Sequence, residues 1–255
     1  MSKKTLILKI GSSTLTAGSD RISRGKIEDM ARQIIELKSQ YNIAIVSSGA
    51  IATANHFMAV NKWKMTQSRQ ALSAIGQPIL MQIYNEIFRD FGLSSAQCLL
   101  TYRDFDNKEA QTNIKNTLSD LFNHGFIPII NENDTIAIDE IVFGDNDKLS
   151  AYVANLVCAD LLVLASDIDG LFDKNPQKYP DAKLIPEIND IIDCQQYIDE
   201  NTDNDLGTGG MTSKIQAAEI CARNQTEMWI VNGGKKNFIL DTMQQMIPHT
   251  RFVFE

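Results

Sequence analysis

Two patterns of apolar residues alternate along this chain. Apolar-rich runs at Thr5 to Ile10, Ile43 to Val46, Phe126 to Ile130 and Leu161 to Ala165 predict buried strands, and Ser95 to Leu100, Met228 to Val231 and Thr250 to Phe254 predict further strands. Between them, apolar residues recur every three or four positions and predict helices at Ile27 to Tyr41, Arg69 to Phe91, Ala110 to Phe122, Leu149 to Cys158 and Ile215 to Arg223. Asn42 is expected to break the first helix, and Gly125 suits the turn that closes the third. Gly76 and Pro78 lie inside the long second helix, where proline removes a backbone donor. Strand follows helix with no linker-like break. The order predicts one α/β domain over residues 1–255, a three-layer αβα sandwich with a central, mostly parallel sheet.

Polar residues gather where the strands stop, as they do in open α/β sheets that bind ligands at the carboxyl ends of their strands. The stretch from Ile127 to Ala151 carries two such packets, Asn131-Glu132-Asn133-Asp134 and Asp145-Asn146-Asp147, joined by a hairpin-like excursion. Asn and Asp are turn formers in their own right. Two packets near lysines nonetheless point to a site. Lys9-Ile10-Gly11-Ser12-Ser13 and Ser47-Ser48-Gly49-Ala50-Ile51-Ala52 offer glycine, hydroxyls and backbone donors for an anion. Thr208-Gly209-Gly210-Met211-Thr212-Ser213-Lys214 repeats those ingredients, without the spacing of a P-loop or a dinucleotide fingerprint. The acidic segment from Asp173 to Asn204, punctuated by Pro176, Pro180 and Pro186, predicts a mobile lid.

Composition narrows the chemistry. A net charge of -8 argues against a nucleic-acid partner, and 44% apolar content is enough for a sizeable core. Four widely spaced cysteines give no metal-ligand pattern and are expected to be reduced and mostly buried. Neither a signal h-region nor a membrane-spanning run is present, so a cytoplasmic protein without a membrane partner is expected. His56, His124 and His249 fall outside every strand-end cluster, which disfavours a Ser-His hydrolase. Lysines and glycine turns suit phosphoryl transfer, which rests on positioning and charge neutralisation. A carboxylate acceptor, ionised at neutral pH with a pKa of about 4.3, needs no general base.

These motifs together resemble those of the glutamate 5-kinases of the amino acid kinase superfamily. The resemblance spans nearly the whole chain. It implies the amino acid kinase fold and ATP-dependent phosphorylation of the γ-carboxylate of L-glutamate, the first step of proline synthesis. Carried over by residue, Lys9, Lys214 and Asp147 are the catalytic group, the lysines on ATP phosphates and Asp147 holding them. Glutamate falls to Ser48, Gly49, Asn131, Asp134, Asp145 and Asn146, acids toward its ammonium and amides toward its carboxylates. ATP falls to Lys9, Gly11, Ser166, Asp167 and the run from Thr208 to Lys214, with magnesium on the phosphates and no side-chain ligand assigned to it. Candidate partners are proline as feedback inhibitor, glutamyl phosphate reductase, and further copies in a dimer or tetramer. The chain is expected to be a short form without the carboxyl-terminal PUA domain of many members, and Ser166 stands where a threonine is often seen. Alternatives are a kinase for acetylglutamate, aspartate, carbamate or a nucleoside monophosphate, and a noncatalytic sensor of glutamate or proline.

Overall fold

The computed structural model describes residues 3–57, 66–137, 146–194 and 210–254. The chain runs from β1 (Lys4–Ile10) through α1 (Ser12–Thr16) and α2 (Arg24–Leu37) to β2 (Tyr41–Ser47). Next come α3 (Ala50–Phe57), α4 (Thr66–Asp90), β3 (Ser94–Leu100), α5 (Lys108–Asn123) and β4 (Phe126–Glu132). Then follow α6 (Asn146–Leu156), β5 (Leu161–Ser166), β6 (Glu187–Ile188), α7 (Met211–Ala222), β7 (Glu227–Asn232), α8 (Phe238–Met243) and β8 (His249–Phe252). Together the strands form one sheet in the order β3-β4-β2-β1-β5-β7-β8-β6. Among these described strands, only the β7 to β8 pairing is antiparallel.

β1 shows why its sequence is mostly apolar. Leu6, Leu8 and Ile10 pack into one core with Ile27, Met30 and Ile34 of α2 and Tyr84 and Phe88 of α4. Ile7 belongs to the opposite core, with Leu149 and Val153 of α6 and Ile215 of α7. Successive side chains enter opposite cores, so neither face of the strand tolerates a polar residue. Lys9 is the exception; the pleat sends it to the α6 side.

This layering sets where ligands can enter. The chain leaves β1 and β2 toward the α2 and α4 face, but leaves β4 and β5 toward the α6 and α7 face. Connections that depart to opposite faces split the carboxyl edge of a parallel sheet. Two crevices result, one between β2 and β4 and one between β1 and β5.

Several boundaries differ from the periodicity reading. The first amphipathic helix ends at Leu37, and both Tyr41 and Asn42 belong to β2, because Tyr41 pairs with Lys4 at the start of the sheet. Tyr41 matched the helical spacing only because the turn at 38–40 is short. β4 continues through Asn131 and Glu132, which stay in register with Leu99 and Leu100 of β3. α6 opens at Asn146, three residues before the expected Leu149, and α7 opens at Met211. Short α1 and α8 carry too few residues for a periodic signal.

Part of the expected lid is tied down. Phe172 bridges Leu184, Asp173 N–H donates to the Lys183 carbonyl, and β6 pairs with β8 at the sheet edge. The remainder, from 195 to 204, lies outside the described residues, as does the excursion at 138–145. The four cysteines are free; Cys194 and Cys221 are buried, Cys98 is half-buried, and Cys158 is exposed just past α6. No described helix is long and apolar enough to cross a membrane.

Candidate active site

At the β1 to β5 crevice, three charged side chains meet with almost no exposure: Lys9 (6%), Lys214 (5%) and Asp147 (0%). They come from the end of β1, the first turn of α7 and the first turn of α6. Lys9 Nζ pairs with Asp147 Oδ1, and Lys214 Nζ lies 3.1 Å from Oδ2. Ser213 Oγ donates to the same Oδ2 at 3.1 Å. Burial alone would raise the Asp147 pKa, but the two ammonium groups outweigh it and hold the carboxyl well below the usual carboxylate range. One anion between two cations leaves a net positive site, fixed in place and shielded from water.

The other residues expected on the nucleotide side surround this crevice. Ser166 ends β5, and its hydroxyl donates to Asp167 Oδ1 at 3.1 Å. Gly11 caps α1 and Gly210 caps α7, both in extended backbone. Met211, Thr212 and Ser213 form the first turn of α7, an end with unpaired N–H groups suited to phosphate. Lys214 thus stands on a helix rather than in a loop. Thr208, Gly209 and Asp145 lie outside the described residues.

At the β2 to β4 crevice a cleft of about 260 Å³ is lined by Ser48, Gly49, Asn131, Asp134 and Asn146, and also by Glu132 and Arg69. Gly49, at φ 103, takes a conformation that turns the chain sharply from β2 into α3. Asn131 and Asn146 are joined in a chain of amides whose polarity two backbone groups decide. Glu132 N–H donates to Asn131 Oδ1 at 2.9 Å, and Asn146 Nδ2 donates to the Ser47 carbonyl at 2.9 Å. Asn146 Nδ2 also reaches Asn131 Oδ1 at 2.8 Å and Ser48 Oγ at 3.3 Å. Asn131 Nδ2 donates to Gln77 Oε1 at 2.7 Å. Asn146 Nδ2 is therefore committed within the protein, and Asn131 Nδ2 turns one of its two N–H groups to α4. Asn55 and Arg69 line the same cleft and add N–H donors to it.

α4 braces the same cleft. Ser73 Oγ donates to Asp134 Oδ2, and Gln70 Nε2 to the Thr135 carbonyl at 3.3 Å. Burial raises the Asp134 pKa, while the Ser73 hydroxyl and nearby Arg69 pull the other way. Arg69, Ser73 and Gln77 lie four residues apart and form one stripe. Sequence reading missed this stripe. Its signal was three polar residues at helical spacing in an otherwise apolar segment. α4 also presses against α3: a Cβ at Gly76 would lie 1.8 Å from the Ala50 carbonyl oxygen.

Comparison with known proteins agrees with this architecture. Residues 4–232 match the model of the amino acid kinase family. The chain is 41% identical to the glutamate 5-kinase of Helicobacter hepaticus, covering 98% of this chain and 93% of that one. It is 42% identical to the glutamate 5-kinase of Clostridium acetobutylicum, covering 97% and 94% respectively. Against the glutamate 5-kinase of Caldanaerobacter subterraneus the identity is 43%, over 92% of this chain and 63% of that one. Among solved structures, a carbamate kinase from Giardia lamblia bound to AMP-PNP superposes with a TM-score of 0.69 at 14% identity, covering 100% of this chain and 99% of that one. UMP kinase from Ureaplasma parvum gives 0.68 at 17%, covering 99% and 100%. The last two share the fold alone. On its sequence relatives and its family match, the chain belongs to the amino acid kinase family and, within it, to the glutamate 5-kinases.

Proposed function

We propose that this chain transfers the γ-phosphoryl group of ATP to the γ-carboxylate of L-glutamate, giving L-glutamyl 5-phosphate and ADP for proline biosynthesis. The observation that carries this reading is the buried Lys9–Asp147–Lys214 group standing beside a cleft lined by acids and amides. A carboxylate oxygen attacks the γ-phosphorus while the bond to the β-phosphate oxygen breaks. With a pKa of about 4.3, the attacking group is already ionised, and no side chain has to take a proton. Lys9 and Lys214 offset the charge that spreads over the phosphoryl oxygens, and Asp147 keeps both ammonium groups aimed.

Ser48, Gly49, Asn131, Asp134, Asp145 and Asn146 hold glutamate. Its ammonium sits toward Asp134 and Asn146 Oδ1. Gly11, Ser166, Asp167 and the run from Thr208 to Ser213 hold the nucleotide. Magnesium would come in with the ATP phosphates and supply charge neutralisation there; among the described residues no three acids, histidines or cysteines gather into a cage for it. Homo-oligomerisation, proline inhibition and a reductase partner are part of the same proposal, as is residence in the cytoplasm.

Coupled ADP release with a panel of acceptors tests the reading. L-Glutamate is expected to be turned over well above N-acetyl-L-glutamate, aspartate, carbamate and UMP. ADP release no faster with glutamate than without it would sink the proposal.

A further inference from the structure

At the amino ends of β2, β3 and β4, on the sheet edge opposite both crevices, a further cleft of about 420 Å³ opens where α2, α4 and α5 end. Its size falls within the range of small-ligand sites. Eight large apolar side chains are exposed among the described residues, and two of them, Ile35 (36%) and Phe126 (39%), line this one cleft. Apolar surface gathered in a concavity marks a place where something binds. The charge is as uneven. Acids outnumber bases 32 to 24 along the chain, yet among the described residues no aspartate or glutamate lines this cleft, whereas Lys3 and Lys38 do. Neither ammonium pairs with a described acid. The helix ends do not need these lysines as caps, because backbone turns close all three: Gln40 N–H donates to the Leu37 carbonyl, Leu93 N–H to that of Phe88, and Gly125 N–H to that of Phe122.

We infer that this cleft is a binding site for a small organic anion, with Lys3 and Lys38 for its charged group and Ile35 and Phe126 for an aromatic or branched hydrocarbon body. An inorganic anion would leave the apolar wall unused, and a neutral hydrocarbon would leave both lysines unused. One molecule with both parts uses the whole cleft. The cleft shares no lining residue with the acceptor cleft and lies at the other end of β2 and β4, so its ligand is distinct from both substrates. The site stands on its own residues, whichever acceptor the crevices take.

Calorimetry on the full chain, with saturating L-glutamate and AMP-PNP present to fill the crevices, tests this with three probes of nearly one shape: cinnamate, cinnamyl alcohol and cinnamylamine. Two exposed ion pairs are together worth about a factor of ten, so cinnamate should bind about tenfold more tightly than the alcohol, and the amine more weakly still. Joint replacement by Lys3→Gln and Lys38→Gln should bring cinnamate down to the alcohol. Ile35→Asp, which removes apolar wall and adds a like charge, should weaken cinnamate by at least about tenfold. All three positions lie outside the catalytic machinery, and both variants should keep the wild-type denaturation midpoint. Equal binding of cinnamate and the alcohol, cinnamate binding untouched by the lysine replacements, or no binding of cinnamate at millimolar concentration would overturn the site. So would sedimentation in which Ile35→Asp splits a wild-type assembly into smaller ones, since a second copy would then be what covers the cleft.

Discussion

The two crevices handle charge in opposite ways. Between β1 and β5, Asp147 is bonded on both oxygens to side chains of the protein, and its two lysines are held in place before any ligand arrives. Between β2 and β4, the polar groups are bonded to one another in a chain that ends with an oxygen still available. The first arrangement stores a rigid positive field, and the second stores a direction. A phosphoryl group needs the former because its charge spreads over several oxygens. An amino acid needs the latter because its ends carry opposite signs.

The contrast breaks most sharply at Asp147. Asp147→Ala leaves two buried ammonium groups without their anion and should lower stability by about 3–5 kcal/mol, read by chemical denaturation, with turnover lost. Lys214→Ala keeps one ion pair, so it should fold and yet lose about 10²–10³-fold in kcat, with KM for glutamate little changed. A normal kcat would remove Lys214 from the chemistry.

Gly76→Ala strikes the acceptor side alone. The added methyl collides with the Ala50 carbonyl, and about 1–3 kcal/mol of stability should be lost, with a raised KM for glutamate and an unaltered KM for ATP. An equal effect on both substrates would show that the crevices are not independent.

The two acids also separate by pH. The folded-state pKa of Asp134 is raised, so protonation begins at a higher pH than for an ordinary aspartate. Ammonium binding needs the ionised form; KM for glutamate should therefore rise as pH falls through that pKa, by up to about tenfold per unit below it. The folded-state pKa of Asp147 is lowered, so its contribution to stability is complete above the unfolded value of about 3.9 and is lost as pH falls below it toward the folded pKa. A glutamate KM that stays flat while stability falls would deny Asp134 its role. The smallest effect is expected from Ser73→Ala, which removes a single donor to Asp134. It should weaken glutamate by about fivefold and move the pH profile upward.

Much of this arrangement was legible in the sequence, for reasons that differ by residue. Lys9, Asp147 and Lys214 stand at predicted strand and helix ends, where a charged group beside an apolar run has few structural uses. Strand interiors such as Leu6 to Leu8 were visible because burial on both faces forbids polar substitution. Ser73 and Gln77 were not visible, since their importance arises from what β4 brings beside them across more than fifty intervening positions. Tyr41 misled because a helix and a turn followed by a strand place apolar residues at the same short spacing. β6 has only two residues, too few to carry any pattern.

Asn146 and Asp147 are consecutive residues in the first turn of α6, one facing each crevice. One turn of helix thus carries a side chain into each of two separate polar sites. An effector that never enters either crevice could throttle the whole reaction by leaning on a single turn of helix.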